Sequence, residues 1–503
     1  MSVGAQAPPI TGTESRSMLR GPLYISLALF ALCLVLGAIW GGYLRIPGHV
    51  IGARFEIAAA LLGVWLLGLI GFWAKRHKRF DPFEPPIWIS LNIYFQIVMN
   101  VWLLQRDRVP WIPWLRSNYS TSMPLAVILF GITLTFFWSG YAVAYGRLAR
   151  ISSGKKTGDL AVKLSNTYIL WFLIWVVEIY ASLVGISSYL GSGISSSLSL
   201  INYYQFVLYL GSAVTAIIVI RHFKHPTTAG WIWLATIVVV QLILSLVVGS
   251  KGFATFFIWL IMCYYYSKRR LPKFFLVFAA AAVICFVPVV NSFRVALHGI
   301  DSGGGVSLMP RAKALSGVIT AISHASFQNL FDSTRQTFET RQGDMLDVTA
   351  SVLTLHPKKM PYVGEEMISD FFREVVPRVF WPGKPVERSR LDMISTVYCG
   401  THAEYAFTSI GLPADAYRAG GWAFVIFFFF ILGAFMAWLY VRGPFRGSLF
   451  GIVLYVTLLF NILVYDRSIK GILINLIQFG LLIWIITKWG LFRRADFWNS
   501  IHK

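Results

Sequence analysis

The sequence predicts an all-α, polytopic membrane protein with about twelve transmembrane helices and one large helical loop outside the membrane. Of the 503 residues, 56% are hydrophobic and 13% are charged, and the mean hydropathy is +0.65. A globular domain carries about 25% charged residues, so most of this chain must face lipid or other buried helices. Apolar runs near 20 residues, the length needed to cross a bilayer, recur along the chain.

Twelve of these apolar runs are predicted as membrane spans. The connectors between them alternate in charge, and every second one is rich in Lys and Arg, as in "KRHKR" (75–79) and "SKRRLPK" (267–273). The predicted spans cover roughly residues 22–43, 53–74, 86–104, 124–145, 166–188, 202–220, 229–248, 252–267, 274–291, 421–441, 448–464 and 471–487.

The distribution of basic residues predicts which connectors face the cytoplasm. The connectors assigned to the cytoplasm hold 23 of the 44 Lys and Arg residues, and the short external ones hold 8. By the positive-inside rule, both termini are then cytoplasmic and the long loop is external. The net charge of +22 is explained by these topological anchors, which also meet anionic lipid headgroups. Membrane lipids are therefore expected partners, and the charge does not indicate nucleic acid.

The long loop divides the chain into three parts. Its roughly 129 residues are too many for a simple connector, and its 13 basic and 13 acidic residues cancel. Within it, the spacing of apolar residues predicts an amphipathic helix over 311–331 and further helices near 344–355 and 363–376. The predicted parts are an N-terminal bundle of about nine spans (1–291), an external loop domain (292–420), and a C-terminal part with about three spans and a cytoplasmic tail (421–503).

Cations cluster in and around "PRVFWPGKP" (377–385), a segment whose three prolines prevent a continuous helix. An external loop is free of the positive-inside requirement, so these charges need another reason. Arginine binds phosphate oxygens through a planar fork, which indicates an anion site; surface ion pairs with neighbouring acids are the alternative. The cations concerned are Arg373, Arg378, Lys384, Arg388 and Arg390 in the loop, and Lys251, Arg467 and Lys470 in two short external turns.

Three residues are candidate proton acceptors. Glu178 lies inside the fifth predicted span among apolar neighbours, where a carboxylate is costly and usually faces a polar cavity or an ion partner. His402 and Glu404, in "GTHAEYAF", follow the cation cluster. Each also has a purely structural interpretation. The four cysteines show no paired spacing, so neither a disulfide framework nor a metal site is predicted.

Three motifs resemble a known family. "PRVFWPGKP" resembles the "PR-x-x-W-P-x-K-P" signature in the external loop of Wzy-type polysaccharide polymerases, the oligosaccharide repeat-unit polymerases of bacterial inner membranes. "GSKGF" resembles that family's "SGSRG" stretch, with Lys251 in place of arginine. "FTSIGLPADAYRAGGWAFV" resembles the segment that re-enters the membrane, although the family's "Y-x-N-F-G" is here "AYRAG" (416–420). The resemblance covers roughly residues 245–435.

The resemblance implies a metal-independent glycosyltransferase without a cofactor and with a fold of the integral-membrane glycosyltransferase type. Its substrate is an oligosaccharide linked to undecaprenyl diphosphate, and a chain-length regulator and a flippase are candidate partners. Developing charge on the departing diphosphate needs cations, and the acceptor hydroxyl needs a base. Trp381 is expected either to stack on sugar rings or to wedge the motif into the bundle. The implied clamp comprises Lys251, Arg294, Arg378, Lys384, Arg388, Arg390 and Arg467, and the base candidates are Glu404, His402 and Glu178.

Other functions remain open from the sequence. An O-antigen ligase uses the same donor and a similar architecture. A lipid-linked-oligosaccharide flippase also has many spans, but it carries its charges within helices rather than in a large external domain. A non-catalytic polysaccharide-assembly protein is the third alternative.

Overall fold

The computed structural model describes most of the predicted helices and part of the long loop. The described residues are 50–77, 80–94, 112–115, 119–152, 164–183, 198–248, 252–271, 289–290, 328, 332, 345–375, 381, 395–399, 410–445, 449–462 and 468–488, and no strand occurs among them. Their helices are α1 (Val50–His77), α2 (Pro85–Ile93), α3 (Tyr119–Ser152), α4 (Leu164–Leu183), α5 (Leu198–Lys224), α6 (Thr228–Val248), α7 (Gly252–Lys268), α8 (Met345–Leu355), α9 (Gly364–Val375), α10 (Leu412–Tyr440), α11 (Leu449–Ile462) and α12 (Ile469–Lys488).

Three helices in the described part are long and apolar enough to cross a membrane. They span Thr121–Ala149 in α3, Thr228–Ser245 in α6, and Leu412–Phe445, which is α10 with the π-helical turn Val441–Phe445 that follows it. Shorter apolar helices lie in α4, α8, α11 and α12. The all-α prediction is therefore confirmed for the described residues, and these three helices agree with a membrane protein, whereas the count of twelve spans stays a prediction.

Helices α3 and α10 form the centre of the bundle and run parallel. Phe137 lies beside Gly433, and about two turns further along both helices the ring of Tyr145 lies 6.5 Å from that of Tyr440. A Cβ atom at Gly433 would overlap the carbonyl oxygen of Phe137, and one at Gly140 would overlap that of Phe430. Small residues let membrane helices approach closely, so these two glycines permit the close contact between α3 and α10.

Several other helices end at the same end of the bundle as this pair. Trp73 near the end of α1 contacts Tyr145 near the end of α3. Ser267 at the end of α7 donates a hydrogen bond to the carbonyl of Ile220 near the end of α5. Helices α1, α3, α5, α7 and α10 therefore finish at one end of the bundle. The predicted cytoplasmic connectors 75–79, 146–156 and 267–273 adjoin that end.

Helix α10 begins earlier than predicted. The sequence placed the span at 421–441, whereas the helix starts at Leu412, with Pro413 in its first turn. Gly421 has a φ of 67°, which favours glycine, and with Gly420 it kinks the helix. The predicted boundary between loop and span at 420/421 thus falls on the kink.

Two helices of the loop occur where they were predicted. Helix α8 matches the prediction near 344–355, and α9 matches the one at 363–376. The backbone N–H of Val363, just before α9, donates to the carbonyl oxygen of Arg418 in α10 (3.0 Å). The loop helices are thereby joined to the start of α10. The amphipathic helix predicted over 311–331 lies outside the described residues, apart from residue 328.

Candidate functional site

Most of the residues selected from the sequence lie outside the described part of the chain. Glu178, Trp381, Arg373 and Lys470 are described, and the placement of the others stays a prediction. Those others are Lys251, Arg294, Arg378, Lys384, Arg388, Arg390, His402, Glu404 and Arg467.

Glu178 is buried between two helices, as the apolar sequence around it predicted. It lies on α4 and is 6% exposed. Its Oε1 atom faces Gly211 of α5, where an added Cβ would come within 2.9 Å. Trp381, by contrast, is 39% exposed, so a ligand is able to reach its ring. The structure does not show these two residues in one site.

A buried ion pair marks the start of α10. Both Nε and Nη2 of Arg418 donate to Oδ1 of Asp415, at 3.2 and 2.7 Å, and the two side chains are 3% and 1% exposed. Oδ2 of Asp415 accepts the backbone N–H of Ile469, the first residue of α12, at 2.8 Å. A carboxylate at a helix N-terminus is favoured by the helix dipole. Asp415 therefore orients Arg418 and holds α12 against α10 at the same time.

An aromatic ring and a histidine complete this site. The guanidinium carbon of Arg418 lies 5.9 Å from the ring centre of Tyr398, within cation–π range. The hydroxyl of Tyr398 is 2.8 Å from Nε2 of His356, which is buried at the end of α8. We call His356, Tyr398, Asp415, Arg418 and Ile469 the arginine cluster. Lys470, also buried, follows Ile469 directly.

Burial decides the protonation of the two neutral members of the arginine cluster. It lowers the pKa of His356 below its ordinary value, and the nearby positive charge of Arg418 acts in the same direction. Burial raises the pKa of Tyr398. A neutral imidazole and a neutral phenol therefore share the hydrogen bond at neutral pH, and the imidazole remains able to accept a proton.

Helix α8 also holds the backbone of Tyr398 through a hydrogen bond. Ser351 Oγ donates to the carbonyl oxygen of Tyr398 at 2.8 Å, and the indole N–H of Trp114 donates to Ser351 Oγ at 2.9 Å. Trp114, helix α8 and the segment around Tyr398 are distant in sequence. Their hydrogen bonds hold the backbone of Tyr398, and with it the phenol, in place beside Arg418.

The sequence patterns did not predict the arginine cluster. Arg418 entered only within the departure from the family motif (416–420), and His356 was not among the selected residues. A signal was present, because an Asp and an Arg three residues apart, just after a proline that starts a helix, lie on one helical face. The partner at Ile469 is a backbone group 54 residues away, and no sequence pattern predicts it.

A second polar cluster lies at the opposite end of α10. Tyr440 donates to Oδ2 of Asp81 at 2.7 Å, and Tyr266 donates to Oδ1 of the same carboxyl at 3.4 Å. Tyr141 donates to Oε1 of Glu84 at 2.8 Å. Tyr455 donates to the carbonyl oxygen of Phe83. We call this group, Asp81, Glu84, Tyr141, Tyr266, Tyr440 and Tyr455, the tyrosine cluster. It ties α3, α7, α10 and α11 to the loop before α2.

Among the described residues, no group of three or more His, Cys, Asp or Glu side chains is arranged to hold a metal ion. The arginine cluster itself offers a cation, a carboxylate, a phenol and an imidazole.

Comparison with known proteins relates the chain to a family model. A family model described as "Domain of unknown function (DUF8712)" matches residues 165–495. No curated protein and no solved structure matches the chain. The matched range contains every member of the arginine cluster, whereas Asp81, Glu84 and Tyr141 of the tyrosine cluster precede it.

Proposed function

The chain belongs to the DUF8712 family, and on this premise we propose that it is a glycosyltransferase of a bacterial inner membrane. It polymerises oligosaccharide repeat units linked to undecaprenyl diphosphate, at the external membrane face, into a surface or exported polysaccharide. The observation that carries the proposal is the buried Arg418–Asp415 pair at the start of α10. The motif resemblance of residues 245–435 supports the same reaction.

The proposed topology has twelve spans, cytoplasmic termini and an external loop. The charge distribution supports it, and so does the arrangement of helix ends. Helices α1, α5 and α7 end in basic residues, such as Lys75, Arg221 and Lys268, and they finish together. The arginine cluster lies at the other end of the bundle and is external in this topology.

Arg418 is suited to stabilise a departing diphosphate. Its two bonds to Asp415 use two of the five N–H donors of a guanidinium. The pair is shielded from water, which strengthens electrostatic stabilisation of developing negative charge. Because Asp415 is itself held by the N–H of Ile469, the guanidinium is oriented before substrate binds, so little reorganisation is needed during the reaction.

Several residues selected from the sequence lie close along the chain to members of the arginine cluster. Arg467 is two residues before Ile469, and His402 and Glu404 are four and six residues after Tyr398. We therefore assign Arg418 to the same clamp as Arg378, Lys384, Arg388, Arg390 and Arg467. His356, reached through the Tyr398 hydroxyl, joins Glu404, His402 and Glu178 as a candidate base for the acceptor hydroxyl.

The test is polymer length in cells whose only copy carries Arg418→Lys. Lysine keeps the charge but loses the fork, so cells are expected to accumulate single lipid-linked repeat units, with polymerisation about 10²-fold slower. Arg147→Lys is the matched control, because Arg147 is exposed on α3 near the opposite end of the bundle and the same exchange there should leave polymer length unchanged. Membrane levels of both variants are measured in parallel.

Two outcomes contradict the proposal. Normal polymer from a normally inserted Arg418→Lys protein removes Arg418 from the reaction. If the Arg418→Lys cells make full-length polymer that is no longer released from its lipid carrier, the affected step is transfer of finished polymer, which indicates a ligase instead.

A further inference from the structure

Helix α9, with the sequence GEEMISDFFREV, is strongly amphipathic. On a helical wheel its apolar residues Met367, Ile368, Phe371 and Phe372 occupy one continuous arc. The other arc is polar and carries four acidic residues and one arginine: Glu365, Glu366, Asp370, Arg373 and Glu374.

Only half of this apolar arc packs on the protein. Met367 is 5% exposed, whereas Ile368 is 61% and Phe372 is 60% exposed. Two large apolar side chains one turn apart therefore form a ridge outside the bundle. Such a ridge on a helix that is otherwise well anchored marks an interaction surface.

The attachment of α9 fixes its level along the bundle. Val363 N–H binds the carbonyl of Arg418, and a Cβ at Gly364 would lie 2.7 Å from the carbonyl of Ala419. Just beyond this point α10 kinks and continues from residue 422 to residue 440. That stretch is about 28 Å long at 1.5 Å per residue, close to the thickness of a hydrocarbon core. Helix α9 is therefore attached at the level where the bilayer core begins.

The neighbouring helices present apolar side chains on their outer surface as well. Helix α9 packs against α12 and α10. Leu473, Ile477 and Leu481 form an exposed stripe on α12, and Phe427 and Ile431 are exposed on α10. The exposed ridge of α9 thus adjoins two helices whose outer surfaces suit contact with lipid.

We propose that α9 is an interfacial membrane helix, with Ile368 and Phe372 inserted among the lipids at the external boundary of the bilayer. Its polar arc, which is acidic overall, faces water. Insertion is then driven by apolar burial rather than by attraction to anionic headgroups. This inference rests on the membrane-spanning role of α10, and it is independent of the glycosyltransferase proposal.

Spin labels on the full-length protein in nanodiscs test the proposal. Single cysteines are introduced at Ile368 and Phe372, and at Glu366 and Ser369 as controls on the exposed polar side. Cys33 and Cys285 are replaced by alanine, and the buried Cys263 and Cys399 are retained; this parent protein, without an added cysteine, measures background labelling. Collision rates with oxygen, which concentrates in lipid, are compared with those of a water-soluble nickel chelate.

At positions 368 and 372 we expect a ratio of oxygen to nickel collisions several-fold higher than at positions 366 and 369, both in zwitterionic nanodiscs and in nanodiscs with anionic lipid. Equal, nickel-dominated collisions at all four positions would place the ridge in water and overturn the proposal. Low collision rates with both reagents at 368 and 372, together with dipolar coupling between labels of different molecules, would assign the ridge to a second copy instead.

Discussion

The arginine cluster and the tyrosine cluster lie at opposite ends of α10, and their buried carboxyl groups are stabilised by different partners. Asp415 is neutralised by the guanidinium of Arg418 and by a helix N-terminus. Asp81 and Glu84 accept hydrogen bonds from the hydroxyl groups of three helices. A tyrosine hydroxyl satisfies an oxygen atom but brings no positive charge. The first arrangement suits binding of an anion, and the second suits joining helices.

The extent of the family match sharpens this contrast. All of the arginine cluster falls inside residues 165–495, but the tyrosine cluster depends on Asp81, Glu84 and Tyr141, which precede that range. We therefore expect changes in the arginine cluster to affect both stability and activity, and changes in the tyrosine cluster to affect stability alone.

The largest effect is expected for Asp415→Ala. This variant leaves Arg418 buried without its partner, which costs about 3–5 kcal/mol of unfolding free energy, and it releases the start of α12. Unfolding of the detergent-solubilised protein measures the loss. Replacing both residues, Asp415→Leu with Arg418→Leu, should recover much of the stability because no buried charge remains unpaired.

Polymer length separates the two roles of the pair. The double leucine variant is expected to be stable but unable to extend the polymer. If it makes polymer of normal length, the ion pair serves only the fold, and the contrast between the two clusters disappears.

A smaller effect is expected for Tyr440→Phe in the tyrosine cluster. Loss of the hydroxyl leaves a buried oxygen of Asp81 with one donor fewer, which costs about 1–3 kcal/mol. Tyr265→Phe is the matched control, because the hydroxyl of Tyr265 makes a longer, exposed bond to the carbonyl of Phe80 (3.3 Å). Polymer produced per correctly folded molecule should be unchanged in both. A Tyr440→Phe protein that folds normally but fails to polymerise contradicts the division of roles.

The smallest effect concerns pH and His356. Burial lowers the pKa of His356 in the folded protein, whereas the unfolded value is about 6.5. Below that pH the unfolded chain binds a proton that the folded chain does not, so the contribution of His356 to stability is present above about pH 6.5 and is lost as the pH falls.

The His356→Gln variant isolates this contribution from that of the other histidines. Unfolding of the wild-type and variant proteins is compared between pH 7.5 and pH 5. The stability of the wild type should fall more steeply toward low pH. Identical slopes would show that His356 is protonated equally in both states.

The positions of the helices could be predicted from the local sequence, whereas the geometry of the two clusters could not. Apolar spacing predicted α8 and α9 within a residue or two, because a helix depends on groups three or four residues apart. The pairs that build the clusters are 42 residues apart for His356 and Tyr398, and 359 apart for Asp81 and Tyr440. Nothing in either local stretch indicates its distant partner.

Composition by itself determined that this chain is a helical membrane protein, since a chain with 13% charged residues must bury its apolar surface in lipid or in itself, and helices satisfy their own backbone groups there. That Arg418 is buried was decided only by the tertiary structure. Arg418 has an Asp three residues earlier on the same helical face, but that spacing indicates a local pair and not burial. It is buried because Pro413 starts α10 early, the kink at Gly421 turns the helix, and α12 brings a backbone N–H to Asp415. The burial of a side chain depends on several segments packed around it, so the local sequence of one segment cannot predict it.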